Sequence, residues 1–129
     1  MCAVEVALAR AGKADEKRLR FAVERFFEFW PELEKRRKKQ GTHVAPYGVA
    51  PYYFFYAFTH AAMAIEHLPE AERPALRAKF RDTLFQVRDA DGTWNDRVFG
   101  RSASFGTAMS VLALLEAGAQ PAAAEKQGE

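Results

Sequence analysis

Hydrophobic residues recur along this chain at the spacing of amphipathic helices, and five segments show the pattern. The clearest covers residues 19–30, where apolar side chains fall at positions i, i+3, i+4, i+7, i+8 and i+11. Asp15 stands before this segment as an expected N-cap. Pro31 after it is expected to disturb the helix, because the residue before a proline avoids the helical region. We expect a last turn or two to continue at an angle over residues 32–40.

Two further helices are bounded by glycine and proline. A short first helix over residues 3–11 is predicted to end at Gly12, which stands in the position of a C-terminal glycine cap. A loop is predicted over residues 42–50. Pro51 after this loop suits the first turn of a third helix, which extends to about residue 67.

The C-terminal half contains the last two predicted helices. After a proline break, residues 70–87 place apolar side chains on one face and predict the fourth helix. A loop over residues 88–101 follows it. Ser102 or Ser104 is expected to cap the fifth helix, which ends at Gly118.

Length and composition are typical of one globular domain. The chain has 129 residues, of which 49% are hydrophobic and 28% are charged, so it can bury one modest core. No segment alternates apolar and polar residues as a strand would. The sequence therefore predicts an all-α fold, with a single domain over residues 1–118 and a disordered tail over residues 119–129.

The helical segments also repeat along the chain. Residues 1–12 align with residues 107–118 with four identities at an offset of 106 positions. A weaker copy, at an offset of 57 positions, overlays residues 19–27 on residues 76–84. The repeating unit is a helix pair of roughly 50 residues, and such units bury their faces against neighbouring units. The chain is expected to contain about two and a half of these pairs.

One loop carries a motif that points to a family. Gln86 is followed by five residues and then by Gly92, Thr93 and Trp94. This segment resembles the Gln-Trp repeat motif of the prenyltransferase and squalene–hopene cyclase repeat family, whose members form α/α toroids. The resemblance implies a partial toroid of five helices, either a terminal portion of a toroid or a short relative that needs a partner. The motif is interpreted as structural, with Trp94 lying over the side-chain amide of Gln86.

The catalytic motifs of that family are missing from this sequence. Its cyclases use an Asp-X-Asp-Asp motif as a proton donor, but Gly92 follows Asp91 here. Its protein prenyltransferases bind zinc through an Asp-X-Cys pair and a histidine, but the single cysteine, Cys2, lies in another context. We therefore predict no catalytic residue, no metal site and no cofactor, and interpret Asp89 and Asp91 as turn residues.

The third predicted helix is rich in aromatic residues. Tyr53, Tyr56 and His60 lie at positions i, i+3 and i+7 and share a helix face, and His43 and Tyr47 stand in the loop that leads to it. The resemblance implies that inner helices line a central cavity, where such a face contacts an apolar, isoprenoid-like ligand. These residues are therefore candidates for ligand binding. Ordinary core packing with satisfied polar groups is the alternative.

The polar loop before the fifth helix is the second candidate region. The resemblance places loops of this kind at the mouth of the cavity. Arg97 and Phe99 are therefore included among the candidate ligand-binding residues, and Arg97 or Arg101 could hold an anion near the start of the helix. Solvated loop charge is the alternative for these arginines.

Charge and hydropathy narrow the range of partners. The net charge is +2, and the basic run over residues 35–39 follows Glu32 and Glu34 and contains no aromatic residue, which argues against nucleic-acid binding. No run of 18 apolar residues is present to span a membrane. The N-terminal residues lack a signal-peptide pattern, so a cytoplasmic location is expected.

These features favour a binding or scaffold domain that is not catalytic on its own. Its aromatic helix face would contact an apolar small molecule or a protein segment, and a homo-oligomer or the remaining toroid repeats are further expected partners. The alternative is the terminal part of a prenyltransferase-like or terpene-cyclase-like enzyme, whose catalytic residues lie outside this chain.

Overall fold

The computed structural model describes residues 1–118, which form five α-helices and one short 3₁₀ turn. The helices are α1 (Cys2–Arg10), α2 (Glu16–Glu34), α3 (Tyr53–Glu66), α4 (Arg73–Gln86) and α5 (Ala103–Glu116), and the 3₁₀ turn is Gly100–Ser102. In this part of the chain the only β-type pairing is an isolated bridge between Val44 and Val49. The prediction of an all-α fold is confirmed. The tail predicted over residues 119–129 lies outside the described residues.

The central element of the fold is α3. Each of the other four helices packs against it, and eight of its fourteen residues are buried. Ala61, Ala62 and Ala64 are among these buried residues, and their small side chains allow neighbouring helices to approach α3 closely. None of the helices in residues 1–118 is long and apolar enough to cross a membrane.

Aromatic side chains connect α3 to α2 and α4. The ring centroid of Phe58 lies 4.9 Å from that of Phe26 in α2, with the rings edge to face, and 5.9 Å from that of Phe80 in α4. Phe54, one turn earlier in α3, lies 4.9 Å from Phe58. Aromatic pairs of this kind contribute about 0.5–1.5 kcal/mol beyond the burial of their surface. These rings form the centre of the hydrophobic core.

Contrary to prediction, α2 is not interrupted at Pro31. The helix continues to Glu34, and residues 35–38 form turns instead of a second helical segment. Pro31 removes one backbone hydrogen bond because it has no N–H group. Its own carbonyl still accepts a hydrogen bond from the N–H of Lys35, and Leu33 packs against the core. The helix therefore extends one turn past the proline, and this turn brings Leu33 onto the core.

Two helices begin later than predicted. Pro51 lies in a turn, and α3 starts two residues after it at Tyr53. Residues 70–72 also form a turn, and α4 starts at Arg73 with Pro74 in its first turn. Pro74 fits this position because the N–H groups of a first turn have no partner within the helix.

The caps agree with the sequence pattern at most helix ends. The Asp15 side chain accepts a hydrogen bond of 3.0 Å from a backbone N–H in the first turn of α2. Gly12 follows α1 with a φ angle of 69°, in the left-handed region that favours glycine. Ser102 precedes α5 as predicted, but its hydroxyl donates to the Phe99 carbonyl over 2.6 Å, lies 3.0 Å from Oδ1 of Asn95, and does not cap the helix.

The N-terminal end of α5 lies directly against the chain at Trp94. A Cβ atom on Gly106 would overlap the carbonyl oxygen of Trp94 and come within 3.0 Å of the Phe55 ring. The next residue, Thr107, accepts a hydrogen bond of 3.1 Å from the backbone N–H of Trp94 with its hydroxyl oxygen. The missing side chain at Gly106 therefore allows α5 to reach this hydrogen bond.

We expect Gly106→Ala to lower the free energy of unfolding by about 1–3 kcal/mol, because the added methyl group would force the Trp94 backbone away from α5. Urea unfolding followed by circular dichroism measures this change. Gly100→Ala is the matched control, since a Cβ at Gly100 meets no atom within 4 Å, and it should change the stability by less than about 0.5 kcal/mol. Equal losses in the two variants would contradict the explanation.

Candidate functional site

An apolar groove with a volume of about 700 Å³ opens between α1, α2, α3 and the loop before α3. Pockets that hold small molecules commonly enclose about 300–1,000 Å³. We call this feature the aromatic groove. It is lined by Met1, Cys2, Ala3, Ala22, Arg25, Phe26, Phe29, Trp30, Glu32, Leu33, Tyr47, Val49, Tyr53, Tyr56, Ala57 and His60.

The predicted tyrosine and histidine face of α3 forms one wall of the aromatic groove. Tyr53 and Tyr56 are 39% and 40% exposed, whereas Phe54 and Phe58 of the same aromatic run are at most 1% exposed. His60, one turn after Tyr56, also lines the groove. Core packing was the alternative for this face. The phenylalanines of the aromatic run are packed in the core, whereas Tyr53 and Tyr56 are not.

His60 and Tyr56 provide polar groups within this wall. The Nδ1–H of His60 donates a hydrogen bond of 2.9 Å to the Tyr56 carbonyl, and the two rings lie 4.2 Å apart. A carbonyl oxygen only accepts, so Nδ1 carries the proton and Nε2 is left as an acceptor. Among residues 1–118, neither Nε2 of His60 nor the Tyr56 hydroxyl has a hydrogen-bond partner.

The loop before α3 forms a second wall, with His43 behind it. Tyr47 lines the groove and is exposed. His43 lies outside the lining: its Nδ1–H donates to the Gly48 carbonyl over 3.1 Å, and its Nε2 accepts from the Tyr52 hydroxyl over 2.9 Å. His43 also lies 6.0 Å from the Tyr53 ring. The structure thus places this predicted ligand-binding residue as a support of the wall.

A single arginine holds the same loop at both ends. The guanidinium of Arg36 donates to the carbonyls of Gln40 and Gly41 over 2.9 and 3.2 Å, and to the carbonyl of Val49 over 3.4 Å. Arg36 lies directly after α2, so these hydrogen bonds fix the loop to the helix that forms the opposite wall.

The wall formed by α2 contains the residues that the sequence pattern did not indicate. Trp30 belongs to the predicted core stripe, Leu33 continues that stripe past Pro31, and Phe29 lies beside it; all three line the groove. Phe29 is 43% exposed. The available signal is the position of Phe29 at the edge of the stripe, which widens the apolar face of α2.

Arg97 and Phe99 lie outside the aromatic groove. The Arg97 guanidinium lies 5.9 Å from the Tyr52 ring and 5.4 Å from the Phe105 ring. Phe99 is exposed, and Arg101 lies 5.3 Å from its ring. The structure therefore does not bring these two candidates together with the tyrosines of α3, and their role in ligand binding stays a prediction.

A buried carboxyl group stands next to Arg97. Asp96 is fully buried, and within residues 1–118 neither of its carboxylate oxygens has a hydrogen-bond partner. The closest cation is Nε of Arg97, 3.5 Å from Oδ1. Burial raises the pKa of Asp96 above its ordinary value, and the charge of Arg97 only partly opposes this shift. The sequence gives no signal of this burial, because polar loop residues are ordinarily exposed.

The raised pKa of Asp96 makes the stability of the protein depend on pH. The folded protein binds this proton more readily than the unfolded chain, so stability should rise as the pH falls through the raised pKa of Asp96 towards about 3.9, the value for an unfolded aspartate. Asp96→Asn removes this contribution. We expect the free energy of unfolding of the wild type to increase relative to that of Asp96→Asn as the pH is lowered from neutral towards about 3.9. Parallel pH profiles would show that Asp96 is not responsible.

Trp94, in the motif that resembles the Gln-Trp repeat, is held by the end of α4. Its indole Nε1–H donates a hydrogen bond of 2.9 Å to the Leu84 carbonyl, and its ring contacts Phe85 at 5.5 Å. The guanidinium of Arg88 lies 5.0 Å from the indole ring. Gln86 is the last residue of α4 and its side chain is exposed. The contacts of the Trp94 indole therefore come from Leu84, Phe85 and Arg88.

The acidic turn between α4 and Trp94 uses its carboxylates within the fold. Gly92, with a φ angle of 86°, donates its N–H to the Asp89 carbonyl over 2.9 Å. Asp91 accepts from the hydroxyl and the N–H of Thr93, and these hydrogen bonds lower its pKa. The Asp89 side chain forms an ion pair with Lys38. This geometry agrees with the interpretation of both aspartates as turn residues.

The basic run over residues 35–39 is also largely paired. Lys35 forms an ion pair of 2.7 Å with Glu32, and Arg37 forms one of 2.6 Å with Glu34. Lys38 pairs with Asp89, as described above. These contacts reduce the positive charge that the run could offer to a polyanion.

Comparisons of the chain with protein-family models, with curated proteins and with solved structures gave no match. Among the described residues, no group of three or more His, Cys, Asp or Glu side chains is placed to hold a metal ion. The aromatic groove is therefore the feature of this structure that bears on function.

Proposed function

We propose that this chain is a helical-repeat binding domain whose aromatic groove holds an apolar, isoprenoid-like small molecule. The observation that carries the proposal is the groove itself, with a volume of about 700 Å³ and walls of aromatic and aliphatic side chains. Aromatic rings offer large apolar contact areas, and a concave apolar site of this size is typical of ligand binding.

The exposure of the wall residues supports an occupant for the groove. Phe29, Tyr53 and Tyr56 are each about 40% exposed although they lie beside a well-packed core. Covering such apolar surface contributes about 25 cal/mol for each Å² removed from water. A contiguous apolar surface of this kind marks a binding site more often than a scattered set of exposed side chains does.

The ionisable groups of the groove also favour binding over chemistry. Arg25 and Glu32 are each paired with a neighbouring residue of opposite charge. The Cys2 thiol donates a hydrogen bond to the Ala22 carbonyl, and burial raises its pKa to about 11. A thiol with this pKa stays protonated at neutral pH and is a poor nucleophile.

The family resemblance forms part of the same proposal. A partial α/α toroid is supported by the five-helix architecture and by the sequence repeat between residues 1–12 and 107–118. In that case α1, α3 and α5 correspond to equivalent helices of successive pairs, and both α1 and α5 contact α3. The alternative is the terminal part of a prenyltransferase-like or cyclase-like enzyme, with the groove contributing to a larger cavity.

A second candidate function is the docking of a protein partner on α5. Val111, Leu112 and Leu115 are 46–57% exposed and share one face of this helix. An unpartnered apolar helix face favours contact with a second copy of the chain or with further helical repeats.

The first test uses the neutral fluorescent probe N-phenyl-1-naphthylamine. We expect the wild type to bind it and Phe29→Ala to bind it about fivefold more weakly, because the substitution removes one ring from the α2 wall. Phe21→Ala is the matched control: Phe21 is also an exposed phenylalanine of α2 near Arg25, but it does not line the groove. A fluorescence titration gives the dissociation constants. Absence of probe binding to the wild type, or equal weakening in both variants, would reject the groove as the site.

The second test measures oligomeric state. If a second copy covers α5, light scattering should show a dimer or a larger assembly for the wild type, and Leu112→Lys should shift it towards the monomer because a charge is costly in an apolar interface. A monomeric wild type at high concentration would reject self-association through α5.

A further inference from the structure

We infer that the aromatic groove selects a neutral amphiphile, an apolar chain or ring system that ends in a hydroxyl group, over a carboxylate or an ammonium ion of the same size. This inference rests on the proposed function. It concerns the chemistry of the polar end of the ligand, which the apolar walls do not determine.

Two charged side chains of the groove lining are already paired with neighbouring residues. Arg25 and Glu32 are lining residues of opposite sign, and the Glu32 carboxylate accepts from Nζ of Lys35 over 2.7 Å. The Arg25 guanidinium is paired in the same way with Glu28 of α2. A charged head group would lose hydration on entering the groove and would have to compete with these pairs for a counter-ion.

Two neutral polar groups of the α3 wall are available for a hydrogen bond. His60 and Tyr56 both line the groove, and their rings are in contact at 4.2 Å. Since the Nδ1–H of His60 is used by the Tyr56 carbonyl, the neutral imidazole offers Nε2 as an acceptor. The Tyr56 hydroxyl can donate or accept. Within residues 1–118 neither group is engaged in another hydrogen bond.

A ligand hydroxyl has the donor and the acceptor that these two groups can use. It can donate its proton to Nε2 of His60 and accept a hydrogen bond from the Tyr56 hydroxyl. A carboxylate has no proton to donate, and its charge would lie against the lone pair of Nε2. A methyl ether keeps the acceptor oxygen but replaces the hydroxyl proton with a methyl group, so it can accept from the Tyr56 hydroxyl but cannot donate to Nε2 of His60.

The experiment compares four ligands that share a ten-carbon chain. Decan-1-ol, 1-methoxydecane, decanoate and decylamine are titrated into the full chain with bound N-phenyl-1-naphthylamine, and displacement of the probe gives each affinity. We expect decan-1-ol to bind about fivefold more tightly than 1-methoxydecane, because one net hydrogen bond is gained. Decanoate and the decylammonium ion should also bind more weakly than the alcohol.

Two substitutions assign the preference to the α3 wall. His60→Phe keeps an aromatic ring but removes Nε2, so it should reduce the affinity for decan-1-ol to that for 1-methoxydecane without changing the latter. Tyr56→Phe removes the donor to the ligand oxygen, which the alcohol and the ether both carry, so it should weaken the binding of both ligands and leave the preference for the alcohol. His67→Phe is the matched control, since His67 follows α3 and does not line the groove, and it should preserve the preference.

The outcomes separate this inference from the proposed function. Equal affinities for the alcohol and the ether, tighter binding of decanoate or decylamine, or an unchanged preference in His60→Phe would overturn the inference. Binding of the probe would still support the apolar groove in each of these cases. Failure of the wild type to bind N-phenyl-1-naphthylamine would instead reject the proposed function.

Discussion

The arrangement of this protein depends on the burial of one side chain, Phe58, among rings from three helices. Its neighbours are Phe26 and Trp30 of α2, Phe80 of α4 and Phe54 of α3. Phe26 and Trp30 also line the aromatic groove. The packing of Phe26 and Trp30 against Phe58 therefore also fixes one wall of the aromatic groove. A change in this part of the core would change the shape of that wall. Close packing of this kind transmits small displacements from the core to the groove.

The division of α3 into two faces follows from the difference between phenylalanine and tyrosine. Phe54, Phe55 and Phe58 carry no polar atom and fill the core, where they are at most 1% exposed. Tyr53 and Tyr56 differ from them by one hydroxyl group, which keeps contact with water while the ring stays apolar. The same short aromatic segment thus stabilises the fold on one side and forms a binding surface on the other.

Periodicity was sufficient to predict the elements that are governed by local physics. Leu19 and Val23 are buried at the positions that the α2 stripe indicates, and Asp15 caps that helix. The local sequence around Pro31 favours a break, and the contact of Leu33 with the core, one turn later, is tertiary and leaves no local signal. The path of a loop leaves no periodic signal in the sequence either. The position of Arg97 outside the groove therefore could not be predicted. The contribution of Phe29 to the groove could not be predicted for a related reason. The sequence does not show which element an apolar residue beside the core stripe will face.

The three carbonyl contacts of Arg36 have a consequence for the entropy of binding. Residues 42–50 lack helix and strand structure apart from one isolated bridge, and holding irregular backbone in one conformation costs about 1–2 kcal/mol per residue. The guanidinium fixes both ends of this segment through hydrogen bonds within the fold. The loop wall is therefore preorganised. The entropy cost of ordering its backbone arises when the chain folds, so it does not lower the affinity of the groove for a ligand.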